Sequence, residues 1–141
     1  MQRIAGTHLI VDGYVENPTV FSESNMLQMF DALVGALGMQ YLTPPMVTPV
    51  ELEPEKLATD DDEGGVSFFC QITTSHIAAH TWELRGAIML DVFSCKPFDC
   101  DRAFAVLDNH LQFSYYEARV VDRTDPIGAC VGPRLCAVAA E

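Results

Sequence analysis

The stretch TTSHIAAHTWELRGAIMLDVFSC, residues Thr73–Cys95, decides the fold of this chain. It holds two runs of strand-forming residues, Ser75–Trp82 and Arg85–Cys95, joined by a short turn. The run before it, Val66–Thr74, has the same character. Strands this close in sequence pair as an antiparallel meander, so the segment predicts three neighbouring strands of one sheet.

The same stretch contains an unusual set of polar residues. On an extended strand His76, His80 and Trp82 share one face, and Ser75 points to the other face unless a bulge intervenes. Together with Cys95 they supply a nucleophile, a base and an acid in principle. Taken one at a time, each residue type is more common as a core or interface residue.

The sequence does not favour a zinc or a calcium site. A metal site from His8, His76, His80 and Cys95 has the right ligand types, but the spacing matches no zinc signature, so we predict no metal. The acidic run 60–63 lacks the alternating spacing of a calcium site and is predicted to be an exposed loop. Within the strand that ends at Cys95, Asp91 is expected to be a buried carboxylate.

Helices and further strands flank the meander. Periodicity predicts a first strand at Thr7–Val15, a helix within Ser22–Met39, an edge strand at best within Met39–Pro54, a second helix at Asp99–Phe113 and a last strand at Tyr115–Thr124. We expect Ser22 or Ser24 to cap the first helix and Asp99 or Asp101 to cap the second. The apolar stripe of the first helix comprises Met26, Phe30, Leu33 and Leu37, and that of the second comprises Ala103, Phe104, Leu107 and Leu111.

This element order predicts an α+β fold, a two-layer α/β sandwich with two helices on one face of an antiparallel sheet. The strands are apolar on both faces, as the pairs Phe68-Phe69 and Ile88-Met89 illustrate. A second copy packed sheet to sheet would cover the remaining face, so we predict a homodimer.

The composition limits the class of protein. A length of 141 residues with 49% hydrophobic residues predicts a single domain, 1–141, with an irregular tail at 123–141. The net charge of -12 argues against nucleic acid or a membrane surface as partner. The five cysteines are odd in number and form no CxxC pair, which favours reduced thiols and a cytoplasmic location.

Several motifs resemble the bacterial and archaeal S-adenosylmethionine decarboxylase family. The family carries G-x-H-L near its N-terminus, G-V-S, then E-S-H-x-x-x-H-T-W-P-E and V-D-V-F-T-C. This chain has GTHL at 6–9, GVS at 65–67, SH at 75–76, HTW at 80–82 and DVFSC at 91–95, over a similarity that spans about 6–122. The last four motifs also resemble the family in spacing.

The resemblance implies a pyruvoyl enzyme of spermidine biosynthesis that cleaves itself between Thr74 and Ser75. It implies that Ser75 becomes the pyruvoyl group, which binds the substrate amine and accepts electrons when carboxylate is lost. By the same resemblance Ser67 and His80 assist cleavage and Cys95 protonates the product. Trp82 would stack on the adenine of the substrate, and the family packs sheet against sheet as a dimer.

The chain departs from the family pattern at three places. The residue before the serine is usually Glu and here is Thr74, although cleavage needs only the carbonyl of that residue. The family's W-P-E is Trp82-Glu83-Leu84, so the glutamate that would hold the ribose is lost. No aromatic residue stands in the acidic run before Gly65 as the second adenine contact.

These departures leave two alternatives to S-adenosylmethionine decarboxylation. One is a pyruvoyl decarboxylase of another amino acid, arginine or ornithine, which nearby acidic residues would suit. The other is a homologue that does not cleave and acts as a ligand-binding or partner subunit. The roles of the longer region 41–64 and of Cys130 and Cys136 in the tail are not indicated by any motif.

Overall fold

The fold is a six-stranded sheet with two helices, seen in a computed structural model that describes residues 5–50 and 64–123. In chain order the elements are β1 (Thr7–Val15), a 3-10 turn (Pro18–Phe21), α1 (Glu23–Ala36), β2 (Met46–Val50), β3 (Gly65–Ile72), β4 (Ser75–Trp82), β5 (Ala87–Ser94), α2 (Cys100–Leu111) and β6 (Phe113–Asp122). The predicted element order is confirmed, including the short strand β2 at an edge of the sheet.

All neighbouring strands are antiparallel, in the order β2-β3-β4-β5-β1-β6. The predicted meander is therefore confirmed as β3-β4-β5, with a two-residue turn between β3 and β4. Strand β1 pairs with β5 on one side and β6 on the other. Strand β1 is therefore an inner strand of the sheet, next to the edge strand β6.

Both helices cover one face of the sheet, as predicted. Alternate strand residues point into the space between sheet and helices, which places the core there. The core comprises Leu9, Val11, Val15, Phe68, Cys70, Ile72, Ile77, Ala79, Ile88, Leu90 and Val92 from the strands, Phe21 from the 3-10 turn, and Met26, Met29, Phe30, Leu33, Val34, Ala103, Leu107 and Leu111 from the helices. Two residues of the predicted stripes, Leu37 and Phe104, are only partly buried at its rim.

The helix starts follow local side-chain chemistry. Ser22 caps α1 by accepting a hydrogen bond from the backbone N–H of Asn25 at 3.3 Å. Asp99 caps α2 in the same way with Arg102, at 3.0 Å. Each cap occupies one of the N–H groups that a helix leaves unpaired at its start. The first of the two predicted caps is the correct one in both helices.

The second face of the sheet carries exposed apolar side chains, and no described element covers it. Among the open-face residues, Phe69 is 40% exposed and Met89 is 54% exposed. Tyr14 and Tyr115 are also exposed at the end of β1 and the start of β6. A surface of this kind is typical of an interface, and the homodimer remains a prediction.

Several predictions fall outside the described residues. They concern the acidic run 60–63, most of the region 41–64, and the tail with Cys130 and Cys136. No helix within residues 5–50 and 64–123 is long and apolar enough to cross a membrane.

Candidate functional site

The tight turn between β3 and β4 contains the predicted cleavage position. Strand β3 ends at Ile72, β4 begins at Ser75, and these two residues pair across the hairpin. Thr74 has a φ of 53°, in the left-handed region. That conformation is a genuine outlier for a β-branched residue and costs free energy. The Thr74 hydroxyl donates a hydrogen bond to the Thr73 carbonyl at 2.8 Å.

Cys95, the residue that follows β5, contacts both residues of the predicted scissile peptide. Its backbone N–H donates to Ser75 Oγ at 3.0 Å, and its Sγ lies 2.7 Å from Thr74 Oγ1. Ser75 is 6% exposed and faces the helix side of the sheet, opposite to His76 and His80, so β4 keeps its regular alternation at this position. We call Thr74, Ser75 and Cys95 the cleavage centre.

The thiol of Cys95 is electrostatically activated. The side-chain hydrogen bond with Thr74 is the largest of the effects that lower the pKa of Cys95, and the contact with Ser75 and the charge of Lys96 act in the same direction. A donor that stabilises a thiolate lowers the pKa of the thiol. Cys70 shows the opposite effect, since burial raises its pKa to about 11. Cys95 is therefore the more acidic of these two thiols.

Ser67 and His80 form a second centre, which we call the serine–histidine pair. The two residues lie opposite each other on β3 and β4, and Ser67 Oγ is 2.8 Å from His80 Nδ1. His80 is five positions beyond Ser75 on one strand, which is roughly 16 Å at about 3.3 Å per residue. One chain thus brings Ser75 and Cys95 together but leaves the serine–histidine pair far from them.

Trp82 lies at the far end of β4, next to the serine–histidine pair. Its ring centroid is 6.5 Å from that of His80. A cavity of about 150 Å³ lies between them and is lined by Gly65, Ser67, His80 and Trp82, among others. The cavity is open to the same face of the sheet as the exposed apolar side chains, because Ser67 and His80 both point there.

The turn after Trp82 does not offer the family's glutamate in its usual place. Leu84 is 77% exposed and has no hydrogen-bonding group. The carboxylate of Glu83 accepts a hydrogen bond from the hydroxyl of Thr81 at 3.1 Å. Thr81 is buried on the helix side of the sheet, so the contact draws the Glu83 carboxylate towards that side.

The open face also carries a third group of polar residues, which includes a contact that the sequence analysis did not predict. His8 Nε2 lies 3.1 Å from Asp91 Oδ1, and His76 packs between Phe69 and Phe93 with centroid distances of 6.1 and 5.5 Å. Burial and then the nearby charge of His8 lower the pKa of His76. The His8–Asp91 contact depends on the β1–β5 register, which no local pattern reveals.

This group corrects one expectation. The side chain of Asp91 is 46% exposed, so the prediction of a buried carboxylate is wrong. Asp91 points to the open face because its neighbours Leu90 and Val92 occupy the core side. In the part of the chain that the structure describes, no three His, Cys, Asp or Glu side chains are grouped to hold a metal ion.

With this geometry in place, comparison with known proteins identifies the class. Residues 7–124 match the family model described as S-adenosylmethionine decarboxylase. The chain belongs to the S-adenosylmethionine decarboxylase family, which confirms the resemblance seen in its motifs. It is therefore an enzyme of the carboxy-lyase class.

Individual relatives agree with this assignment. The chain is 27% identical over 124 residues to the S-adenosylmethionine decarboxylase proenzyme of Thermoplasma volcanium, covering 87% of each protein. It is 33% identical over 67 residues to the arginine decarboxylase proenzyme of Caldivirga maquilingensis, covering 45% of this chain and 48% of that one. The crystal structure of the Aquifex aeolicus adenosylmethionine decarboxylase matches with a TM-score of 0.67 and 18% identity, over 86% of this chain and 92% of that one, which confirms the fold.

Proposed function

We propose that this chain is a pyruvoyl-dependent decarboxylase that makes its pyruvoyl group from Ser75, by cleaving itself between Thr74 and Ser75. The observation that carries the proposal is the cleavage centre, where Cys95 contacts Thr74 and Ser75 on the two sides of one peptide bond. The relatives named proenzymes support a precursor that matures. We further propose that the enzyme acts in the cytoplasm on S-adenosylmethionine and serves spermidine synthesis.

The cleavage chemistry uses only atoms of the chain and water. Ser75 Oγ bonds to the Thr74 carbonyl carbon, the amide C–N bond breaks, and the hydroxyl proton passes to the nitrogen. Loss of the Ser75 α-proton then breaks the Cβ–Oγ bond and releases Thr74 as a carboxylate. Water replaces the nitrogen of the remaining residue, ammonia leaves, and the new chain begins with a ketone.

The residues of the cleavage centre fit this group. Ser75 Oγ is already held by the backbone N–H of Cys95 at the start of a strand that is paired on both sides. A pyruvoyl group supplies a ketone that binds a substrate amine and withdraws electrons as carboxylate is lost. Cys95 is the proton donor to the carbon that loses carboxylate, because its thiol is acidic and adjacent to Ser75.

Two copies of the chain are needed for a complete site in this proposal. The serine–histidine pair is roughly 16 Å from Ser75 within one chain, which exceeds hydrogen-bond reach. The pair lies on the open face, and Thr74 and Ser75 line a cavity together with the open-face residues Phe69 and Phe93. A partner packed sheet to sheet in the opposite direction brings its own Ser67 and His80 to the cleavage centre.

The substrate is the second part of the proposal. Trp82 supplies an aromatic surface for the adenine beside the serine–histidine pair. One specific observation weakens the case for S-adenosylmethionine, since Leu84 leaves the ribose hydroxyls without the family's carboxylate. The arginine decarboxylase proenzyme among the relatives is compatible with arginine as the alternative substrate.

Denaturing mass spectrometry of the purified protein tests maturation. We expect two fragments, residues 1–74 and 75–141. The C-terminal fragment, 75–141, should react with hydrazine at its N-terminal ketone. The control variant S75A removes the nucleophile and should remain a single chain of 15.5 kDa. A wild-type chain that also stays at that mass after prolonged incubation contradicts the proposal and favours a homologue that does not cleave.

Carbon dioxide release from S-adenosylmethionine, arginine and ornithine separates the substrates. If S-adenosylmethionine is the substrate, L84E should lower its KM by about tenfold, because it supplies a charged acceptor for the ribose. L84Q is the matched control, with a similar length and no charge. Faster release from arginine than from S-adenosylmethionine would refute the substrate assignment and leave the maturation proposal intact.

A further inference from the structure

We propose that Thr74 is a positioning residue for the cleavage of its own peptide bond. Its hydroxyl, between the Cys95 thiol and the Thr73 carbonyl, holds the left-handed turn in which the scissile bond lies. The inference rests on the proposed self-cleavage and adds a side-chain role at a position where the chemistry itself requires only a carbonyl.

The hydrogen bonds around this hydroxyl form a chain. A threonine hydroxyl has one proton and can accept two hydrogen bonds. Its proton goes to the Thr73 carbonyl at 2.8 Å, so with a neutral thiol the Cys95 S–H donates to Thr74 Oγ1 at 2.7 Å. When the thiol ionises, the hydroxyl turns and donates to the sulfur instead. In both states the side chain of Thr74 is tied to Cys95.

The backbone conformation explains why such a tie matters. At φ 53° the Thr74 Cβ is crowded, and a β-branched residue leaves this region unless its surroundings hold it. The Thr74 side chain is exposed, so packing does not hold it. Among the residues that the structure describes, the Thr74 hydroxyl makes polar contacts with the Thr73 carbonyl and the Cys95 thiol.

The same cysteine also fixes the nucleophile. The Cys95 backbone N–H holds Ser75 Oγ at 3.0 Å, while its Sγ holds the Thr74 hydroxyl. The residue that attacks and the residue that is attacked are therefore both positioned by one residue at the end of β5. Holding two reacting groups in one geometry replaces a search over conformations with a single arrangement.

The cleavage rate of Thr74 variants tests this inference. T74V removes the hydroxyl and keeps the β-branched shape, and we expect it to slow cleavage on the order of tenfold or more. T74S restores the hydroxyl without the methyl group and should recover most of the wild-type rate. The rates are read as the ratio of intact to cleaved chain over time after synthesis, by denaturing mass spectrometry.

A second measurement does not depend on cleavage. In the uncleavable S75A chain, the pH dependence of Cys95 alkylation, followed by peptide mapping, reports the ionisation of that thiol. T74V in this background should shift the midpoint to higher pH, because the thiolate loses its donor. T74S in the same background should leave the midpoint near that of S75A alone.

The outcomes distinguish the two proposals. A wild-type chain that never cleaves overturns the proposed function and this inference with it. A wild-type chain that cleaves while T74V cleaves at the same rate overturns this inference alone. This inference is supported if T74V cleaves slowly, T74S recovers the rate and the alkylation midpoint shifts in T74V. Equal melting temperatures of wild type, T74V and T74S would show that the slow cleavage does not come from a loss of stability.

Discussion

Cleavage should be recoverable by mixing two variants that each fail to cleave. H80A removes the base of the serine–histidine pair but keeps Ser75, and S75A keeps the pair but lacks the nucleophile. Within one chain these residues are roughly 16 Å apart along β4, against a hydrogen-bond reach of about 3 Å. In the proposed mechanism, the base that serves Ser75 is therefore expected to come from the other copy of the chain, and a mixed dimer would supply it.

The expected yield follows from random pairing. With equal amounts of the two chains, about half of the H80A chains have an S75A partner, and only those should cleave. The assay is co-expression followed by denaturing mass spectrometry, with the two chains distinguished by mass. The matched control is H80A co-expressed with S75A/H80A, in which no chain carries His80 and cleavage should stay at the level of H80A alone.

Two results would refute the reasoning. Efficient cleavage of H80A by itself would show that His80 does not assist. Absence of cleavage in the mixture, when native mass spectrometry shows that mixed dimers have formed, would show that the pair does not act across the interface. The first result would leave the contacts of Cys95 with Thr74 and Ser75 as the cleavage machinery, and the second would mean that His80 acts on its own chain.

Three further predictions concern stability and are measured by urea unfolding. G65A should destabilise the fold by about 2 kcal/mol or more, because Gly65 has a φ of 139° and a Cβ there would lie 1.9 Å from the Thr81 carbonyl oxygen. The matched control is G35A, which adds a Cβ in open space within α1 and should stabilise the fold by about 0.5–1 kcal/mol. D99A should cost about 1 kcal/mol because it removes the α2 cap; an unchanged midpoint would contradict this. Burial lowers the pKa of His76 in the folded chain, so as the pH falls the unfolded chain protonates this histidine before the folded chain does. The free energy of unfolding should therefore decrease as the pH drops through about 6.5, and H76N should show a weaker dependence of stability on pH.

The sheet was predictable because each of its strands is a local pattern. The run 75–82 alternates between core residues and open-face residues, and the structure keeps that alternation from Ser75 to Trp82. The last strand begins two residues earlier than predicted, at Phe113. The reason is Gln112, whose φ of 52° ends α2 and turns the chain directly into β6. A left-handed Gln carries no signal that a sequence pattern would detect.

The motifs that name the candidate site residues do not predict how those residues are arranged. The motifs identified Ser67, Ser75, His80 and Cys95, but their spacing along the chain did not show that they fall into two centres. That division follows from strand length, since β4 carries Ser75 at one end and His80 towards the other. The contact between Cys95 and Thr74 was equally hidden, because it depends on how far β5 extends beside the β3–β4 turn.

The positions of the departures from the family pattern bear on what the enzyme retains. Leu84 lies in the turn two residues beyond Trp82, and Trp82 is itself seven residues, or roughly 23 Å, along β4 from Ser75 in the same chain. A substitution there leaves the hydrogen bonds of the cleavage centre unchanged, because no described contact links the two ends of the strand. Thr74, by contrast, lies inside the cleavage centre and contributes a contact of its own to Cys95. In the proposed enzyme, substrate recognition and self-cleavage are therefore expected to be separable by mutation: L84E should change the KM without changing the cleavage rate, and T74V should change the cleavage rate.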